Sequence, residues 1–181
     1  MSIGAIAAVA SVLFFAPGAA DRGGQADPLI GKSIAGLVLR DPGGRAVDLS
    51  EKGVLYLIDS WALGCAPCRW EMDDLAALES ALAKEPRVRF VGVLSGWPVK
   101  QLEEMRRLYS IPIAMHADPE NGLEALGCRV FPTKLLVRDG VVLDVRTGAG
   151  KTGNFERLAE WLGAWSPGVR LRRPEWAAQA K

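Results

Sequence analysis

The 181-residue sequence predicts a single α/β domain built on a mixed central sheet flanked by helices. Three observations carry that expectation. Residues 54–58 and 88–94 are apolar runs with β-branched and aromatic members, the pattern of strands buried on both faces. Apolar residues at helical spacing follow each run: Met72, Leu75, Leu78 and Leu82 after the first, Leu102, Met105 and Tyr109 after the second. Asp139-Gly140 separates the apolar runs 134–137 and 141–145, and this dipeptide favours a tight hairpin, so an antiparallel pair joins the βαβ rhythm.

The remaining elements follow in chain order. Residues 1–20 carry no charge and 3–15 are apolar, which suits a secretory signal with a small-residue cleavage site at Gly18-Ala19-Ala20. No Lys or Arg precedes the run, so an uncleaved anchor through residues 3–20, barely long enough to span a bilayer core as a helix, and a buried helix stay open as readings. Residues 21–28 read as a linker, 29–165 as the domain and 166–181 as a basic tail, frayed and solvated. Residues 34–39 and 47–49 flank Asp41-Pro42-Gly43-Gly44 and predict a small leading hairpin. One amphipathic helix is expected from Cys65 to just before Pro86, another over 98–108, a short strand over 111–115 and a short helix over 122–126. Phe155, Leu158, Leu162 and Trp165 mark a last helix, with Thr152 or Asn154 as its N-cap.

Composition narrows the function. A formal net charge of +1 leaves no cationic surplus for nucleic acid. Hydrophobic content of 49% and charged content of 24% support a packed core. The 3 cysteines are too few for a disulfide-stapled miniprotein and cannot all pair with one another.

Cys65-Ala66-Pro67-Cys68 stands where a buried strand meets a helix. Unpaired N–H groups and the macrodipole at such a terminus favour an anion, so the Cys65 thiol is expected to ionise more readily than a free thiol. Cys65 is therefore the expected nucleophile on a disulfide, with Cys68, one turn on, resolving the mixed disulfide by forming the intramolecular bridge. Pro67 fits the first helical turn because its missing N–H would be unpaired there. A Cys₃His zinc site from Cys65, Cys68, Cys128 and His116 lacks a second close-spaced ligand pair. Haem attachment would need His where Arg69 stands, and single-thiol peroxidase chemistry leaves Cys68 without a task. Cys128 reads as buried packing material and His116, beside Asp118 and Glu120, as a surface residue.

The run 57–62, the motif Cys65 to Cys68, the following Arg69-Trp70-Glu71-Met72 and the later Val130-Phe131-Pro132-Thr133 resemble the thioredoxin fold, specifically the exported TlpA-like and ResA-like thiol-disulfide oxidoreductases. The resemblance spans residues 29–165 and includes the leading hairpin and a central helix-strand insertion. It implies that Phe131–Pro132 is a cis peptide bond against the cysteine pair, and that the Phe131 backbone pairs with an extended substrate segment. It further implies that Asp59 is a buried acid beneath the resolving cysteine, its proton affinity raised by burial so that it accepts the Cys68 proton. Trp61 is expected to pack beside the motif and limit access to it. Three departures stand out. Gly64 replaces a bulky residue before Cys65 and should leave that thiol more open. Asp73 replaces a helix-kinking proline, so a straighter helix is expected. The stretch Ser95-Gly96-Trp97-Pro98 lacks the acid some relatives place near the thiols, leaving Trp97 as a client contact or a core residue.

The reading that results is an extracytoplasmic dithiol-disulfide oxidoreductase, secreted or anchored through its N-terminus, with no metal or organic cofactor. The resemblance implies a reductase supplied by a membrane electron carrier, with protein clients such as apocytochrome c or copper-site cysteines. The alternatives are a disulfide oxidase or isomerase for secreted proteins, and a metal-binding or metal-delivery protein using the same thiols.

Overall fold

The computed structural model describes residues 27–150 and 154–178. The expected leader or anchor at residues 1–20, most of the linker, and Thr152 lie outside them. Among the described residues no helix is long and apolar enough to cross a membrane.

Five strands form one mixed sheet in the order β3-β2-β1-β4-β5. The strands β1 (Leu55–Trp61) and β2 (Val88–Leu94) run parallel, as does the two-residue β3 (His116–Ala117) beside β2. The strands β4 (Thr133–Arg138) and β5 (Val141–Thr147) are antiparallel, and β4 is antiparallel to β1. Asp139 and Gly140 both have positive φ, as the tight turn between β4 and β5 requires.

The helices are α1 (Ala66–Trp70), α2 (Met72–Leu82), α3 (Leu102–Leu108), α4 (Gly122–Leu126), α5 (Asn154–Trp165) and α6 (Glu175–Ala178). Each face of the sheet buries its own apolar cluster. Leu55, Leu57 and Trp61 of β1 and Leu136 of β4 meet Leu75, Leu78, Phe155 and Leu158 on one face. Tyr56, Ile58, Leu135 and Val137 meet Leu29, Leu39, Leu123 and Cys128 on the other. The alternation of side chains along β1 therefore puts Asp59 on the face of Leu57 and Trp61, and along β4 it puts Lys134 on the face of Leu136.

Several local expectations are revised. The helix after Cys65 is interrupted at Glu71, whose backbone (φ −105°, ψ 1°) leaves helical geometry between α1 and α2. The straighter helix expected from Asp73 is not seen: the break falls at the buried Glu71, two residues earlier. The leading hairpin closes as a turn, with Val47 N–H donating to Leu39 at 2.9 Å, but shrinks to a single bridge between Arg40 and Ala46. The expected strand at 111–115 is irregular, and pairing begins at His116, which is half-buried with Nδ1 3.1 Å from the Gly92 carbonyl rather than out on the surface. Residues 98–108 form a 3₁₀ turn (Val99–Gln101) leading into α3.

The segment after α5 packs instead of fraying: Val169 and Ala177 join the core, and Arg173 pairs with Asp74 and Glu156. The N-terminus of α5 is held by Asp74, whose carboxylate accepts the Asn154 N–H at 3.2 Å, while the Asn154 side chain turns into the core.

Candidate functional site

The end of β1 and the start of β4 lie side by side because Asp59 pairs with Lys134 and Ser60 with Thr133. That register brings the loop carrying Cys65 to the same sheet end as Phe131 and Pro132, which precede β4. Cys65 and Cys68 form a disulfide with Cα atoms 5.3 Å apart. Cys65 is the N-cap of α1, and its Sγ accepts the Cys68 backbone N–H at 3.1 Å. It is half-buried, whereas Cys68 is fully enclosed. A docking disulfide can therefore reach only the first sulfur. Pro67 occupies the first turn of α1.

Phe131–Pro132 is a cis peptide bond, with Phe131 half-buried and Pro132 buried. Thr133 Oγ donates to the Val130 carbonyl at 2.7 Å and fastens this turn. Val130 is 56% exposed and Trp70, two residues beyond Cys68, 67% exposed. Open space surrounds the point where Gly64 would carry a side chain, so this glycine leaves the approach to Cys65 clear.

Trp61 is wholly buried in the core cluster that contains Cys68. This corrects the expectation that it gates substrate access: strand alternation turns it inward, beneath the motif. Trp97 is half-buried against the same cluster, in keeping with the core reading of that residue. Cys128 lies in the opposite cluster, so the four ligands of the imagined zinc site are not gathered around the Cys65–Cys68 pair. Burial pushes its thiol pKa up to about 11, further raised by Asp27 and Asp118.

Asp59 is fully buried, as the resemblance implied, but it is not alone. Lys134 Nζ lies 3.1 Å from Asp59 Oδ1 and also bonds Glu71 Oε1. Asn154 Nδ2 donates to Glu71 Oε2 at 2.9 Å. Neither Asp59 oxygen has a hydrogen-bond partner of good geometry among the described residues, and Oδ1 is held by the ion pair with Lys134. Burial raises the Glu71 pKa to about 7, with the Lys134 ammonium pulling it down and the Asp59 charge pushing it up. Burial opposes the charge on Lys134, but the two carboxylates outweigh it and raise its pKa.

Glu71, Lys134 and Asn154 were not singled out as functional from the sequence. A signal was present for two of them: a charged residue opening a strand of otherwise apolar character, and an acid one turn after Cys68 on the same helical face. For Asn154 there was none, because its contact joins segments far apart in the chain.

No family model and no curated protein sequence matches this chain. Solved structures do. It is 24% identical to a putative thiol:disulfide interchange protein DsbE from Chlorobium tepidum, covering 75% of this chain and 96% of that one at a TM-score of 0.57. StoA from Bacillus subtilis matches at 18% identity, covering 69% and 94%, with a TM-score of 0.57. A secreted Mycobacterium tuberculosis disulfide oxidoreductase homologous to E. coli DsbE matches at 19%, covering 70% and 94%, with a TM-score of 0.53. Agreement over nearly the whole length of these structures, with the five-stranded order and the cis-proline turn beside a cysteine pair, shows that the chain has the thioredoxin fold.

Proposed function

We propose that the protein is a thiol-disulfide oxidoreductase working through Cys65 and Cys68, as a reductase of disulfides in exported proteins. The observation that carries this reading is the asymmetry of the pair: one sulfur at a helix cap within reach of solvent, bridged to a second that is enclosed. In the dithiol form the Cys68 N–H that now meets Cys65 Sγ is available to a Cys65 thiolate, which favours ionisation at that position.

The step is balanced as follows. The Cys65 thiolate attacks one sulfur of a client disulfide, forming a mixed disulfide and expelling the other client sulfur as thiolate. The Cys68 thiol then gives its proton to a base, with Asp59 as the candidate, and attacks Cys65 Sγ. The Cys65–Cys68 bond forms, the mixed disulfide breaks, and the second client sulfur leaves as thiolate. The client gains two electrons and the dithiol loses two. Phe131, next to the buried Pro132, offers its backbone to align an extended client segment.

The resemblance in sequence supports an extracytoplasmic setting, resupply by a membrane electron carrier, and clients such as apocytochrome c or copper-site cysteines. Equilibrating the full chain in glutathione buffers while following tryptophan fluorescence tests the direction. A potential nearer about −270 than about −120 mV supports a reductase, and the reverse supports an oxidase. Cys68→Ser should trap clients as mixed disulfides on Cys65. Loss of exchange in Cys65→Ser is expected, and full activity in that variant would overturn the assignment.

A further inference from the structure

The mouth of the cysteine site carries two arginines, Arg69 and Arg129, whose guanidinium groups have no hydrogen bond or ion pair among the described residues. The Arg69 N–H donates to the Cys65 carbonyl at 3.3 Å, which sets Arg69 one helical turn beyond the nucleophile. Trp70 follows it and is largely exposed. Arg129 and Val130, both exposed, stand in the loop just before Phe131. Cys65 and Phe131 lie at one end of the sheet and pack against the same core cluster, which brings both exposed pairs to the rim around the half-buried sulfur.

The loop that presents Arg129 and Val130 is fastened at three points. Cys128 N–H donates to the Leu123 carbonyl at 2.9 Å, Thr133 Oγ holds the Val130 carbonyl at 2.7 Å, and the Pro132 carbonyl accepts the Gly148 N–H at 2.8 Å. The acids nearest in the chain leave the positive charge standing. Asp73 and Glu124 are exposed and form no ion pair with either arginine, while Asp59 and Glu71 are enclosed and held by Lys134. Arginine and tryptophan are the side chains that most often dominate binding energy at an interface. Cations on a rim attract an approaching anion and raise its rate of encounter.

We propose that this rim selects client disulfides whose flanking residues carry a carboxylate, with Arg69 and Arg129 reading that charge and Trp70 and Val130 seating the apolar side chains of the segment. The inference rests on the exchange reaction proposed above and deepens it by naming the class of client. The bonds made and broken are those of that reaction: the arginines change how fast an acidic client engages Cys65, not which atoms react. One contact between an exposed arginine and a carboxylate changes a rate by up to about fivefold. Two act together on one client, and salt screens both.

The test gives the reduced full chain two peptides with one internal disulfide, identical except for Asp or Lys on each side of the first cysteine. Second-order rates of reduction are divided by those of β-mercaptoethanol on the same peptides, which removes the peptides' own reactivity. The Asp peptide should exceed the Lys peptide by at least about fivefold in low salt. The ratio should fall toward one in about 1 M salt, where the screening length is about 3 Å. Arg69→Glu combined with Arg129→Glu, both at exposed positions where stability is little affected, should invert the ratio. A change in Cys65 ionisation would alter both rates alike and cancel. Equal normalised rates in the wild type, or a ratio that survives the double reversal, overturn the acidic preference and leave the exchange reaction in place. Failure to reduce either peptide overturns the exchange reaction itself.

Discussion

Cys128 and Cys65 show how position decides the behaviour of a thiol. Cys65 caps a helix and accepts a backbone N–H, whereas Cys128 is enclosed by apolar side chains with acids nearby. With a pKa of about 11, only about one Cys128 in a thousand is thiolate at pH 8. In the reduced, folded protein, iodoacetamide at pH 8 should label Cys65 first and Cys128 at least about a hundredfold more slowly than free cysteine. Labelling of Cys128 at the free-cysteine rate, read by peptide mass analysis, would contradict this. The catalytic candidates Cys65 and Cys68 were legible because their spacing has a chemical meaning within four residues. Lys134 was hidden: in sequence it reads as the first residue of a strand, and its role depends on which residues face it across the sheet.

At the scale of elements, α5 is fixed to the sheet by one carboxylate. Asp144 of β5 accepts the indole N–H of Trp161 at 2.8 Å and that of Trp165 at 3.0 Å. Asp144→Ala would strand a buried indole donor and a partly buried one, and should cost about 2–4 kcal/mol in urea unfolding. A loss below about 0.5 kcal/mol would show that neither bond is needed. The strands and α5 were legible from apolar periodicity, since both faces of the sheet are buried. The interruption at Glu71 was not. Helical periodicity continues across it, and the Glu71 side chain at the break meets an enclosed ammonium that comes from a distant strand.

For the molecule as a whole, the same cluster makes stability depend on pH. Burial holds the Glu71 pKa at about 7 in the fold, above the ordinary carboxylate range, so the fold favours its protonated form. That contribution is fully present below about pH 4.5 and is lost as pH rises through 7. The oxidised protein should therefore lose stability between pH 5 and 8 through this group. Lys134, with its pKa raised, stays charged across that window and adds no slope. Glu71→Gln should flatten the profile, as urea unfolding at pH 5 and 8 would reveal. Equal pH slopes in the two proteins would remove the basis for an enclosed, titrating carboxyl.

The packing of the last segment belongs to this scale too. Its basic composition suggested a solvated tail, yet Val169 and Ala177 are buried and Arg173 bridges α2 and α5. Few apolar residues in a charged stretch look like a tail until a groove exists to receive them. The sequence by itself determined the α/β class, the parallel and antiparallel strand pairs and the dithiol motif, because each is written in short-range periodicity or spacing. Tertiary structure alone decided that Trp61 is a floor and not a gate, that Asp59 shares its cation with Glu71, and that the C-terminal segment docks. Those outcomes depend on which side chains meet across the sheet, and burial makes the energy of each meeting large.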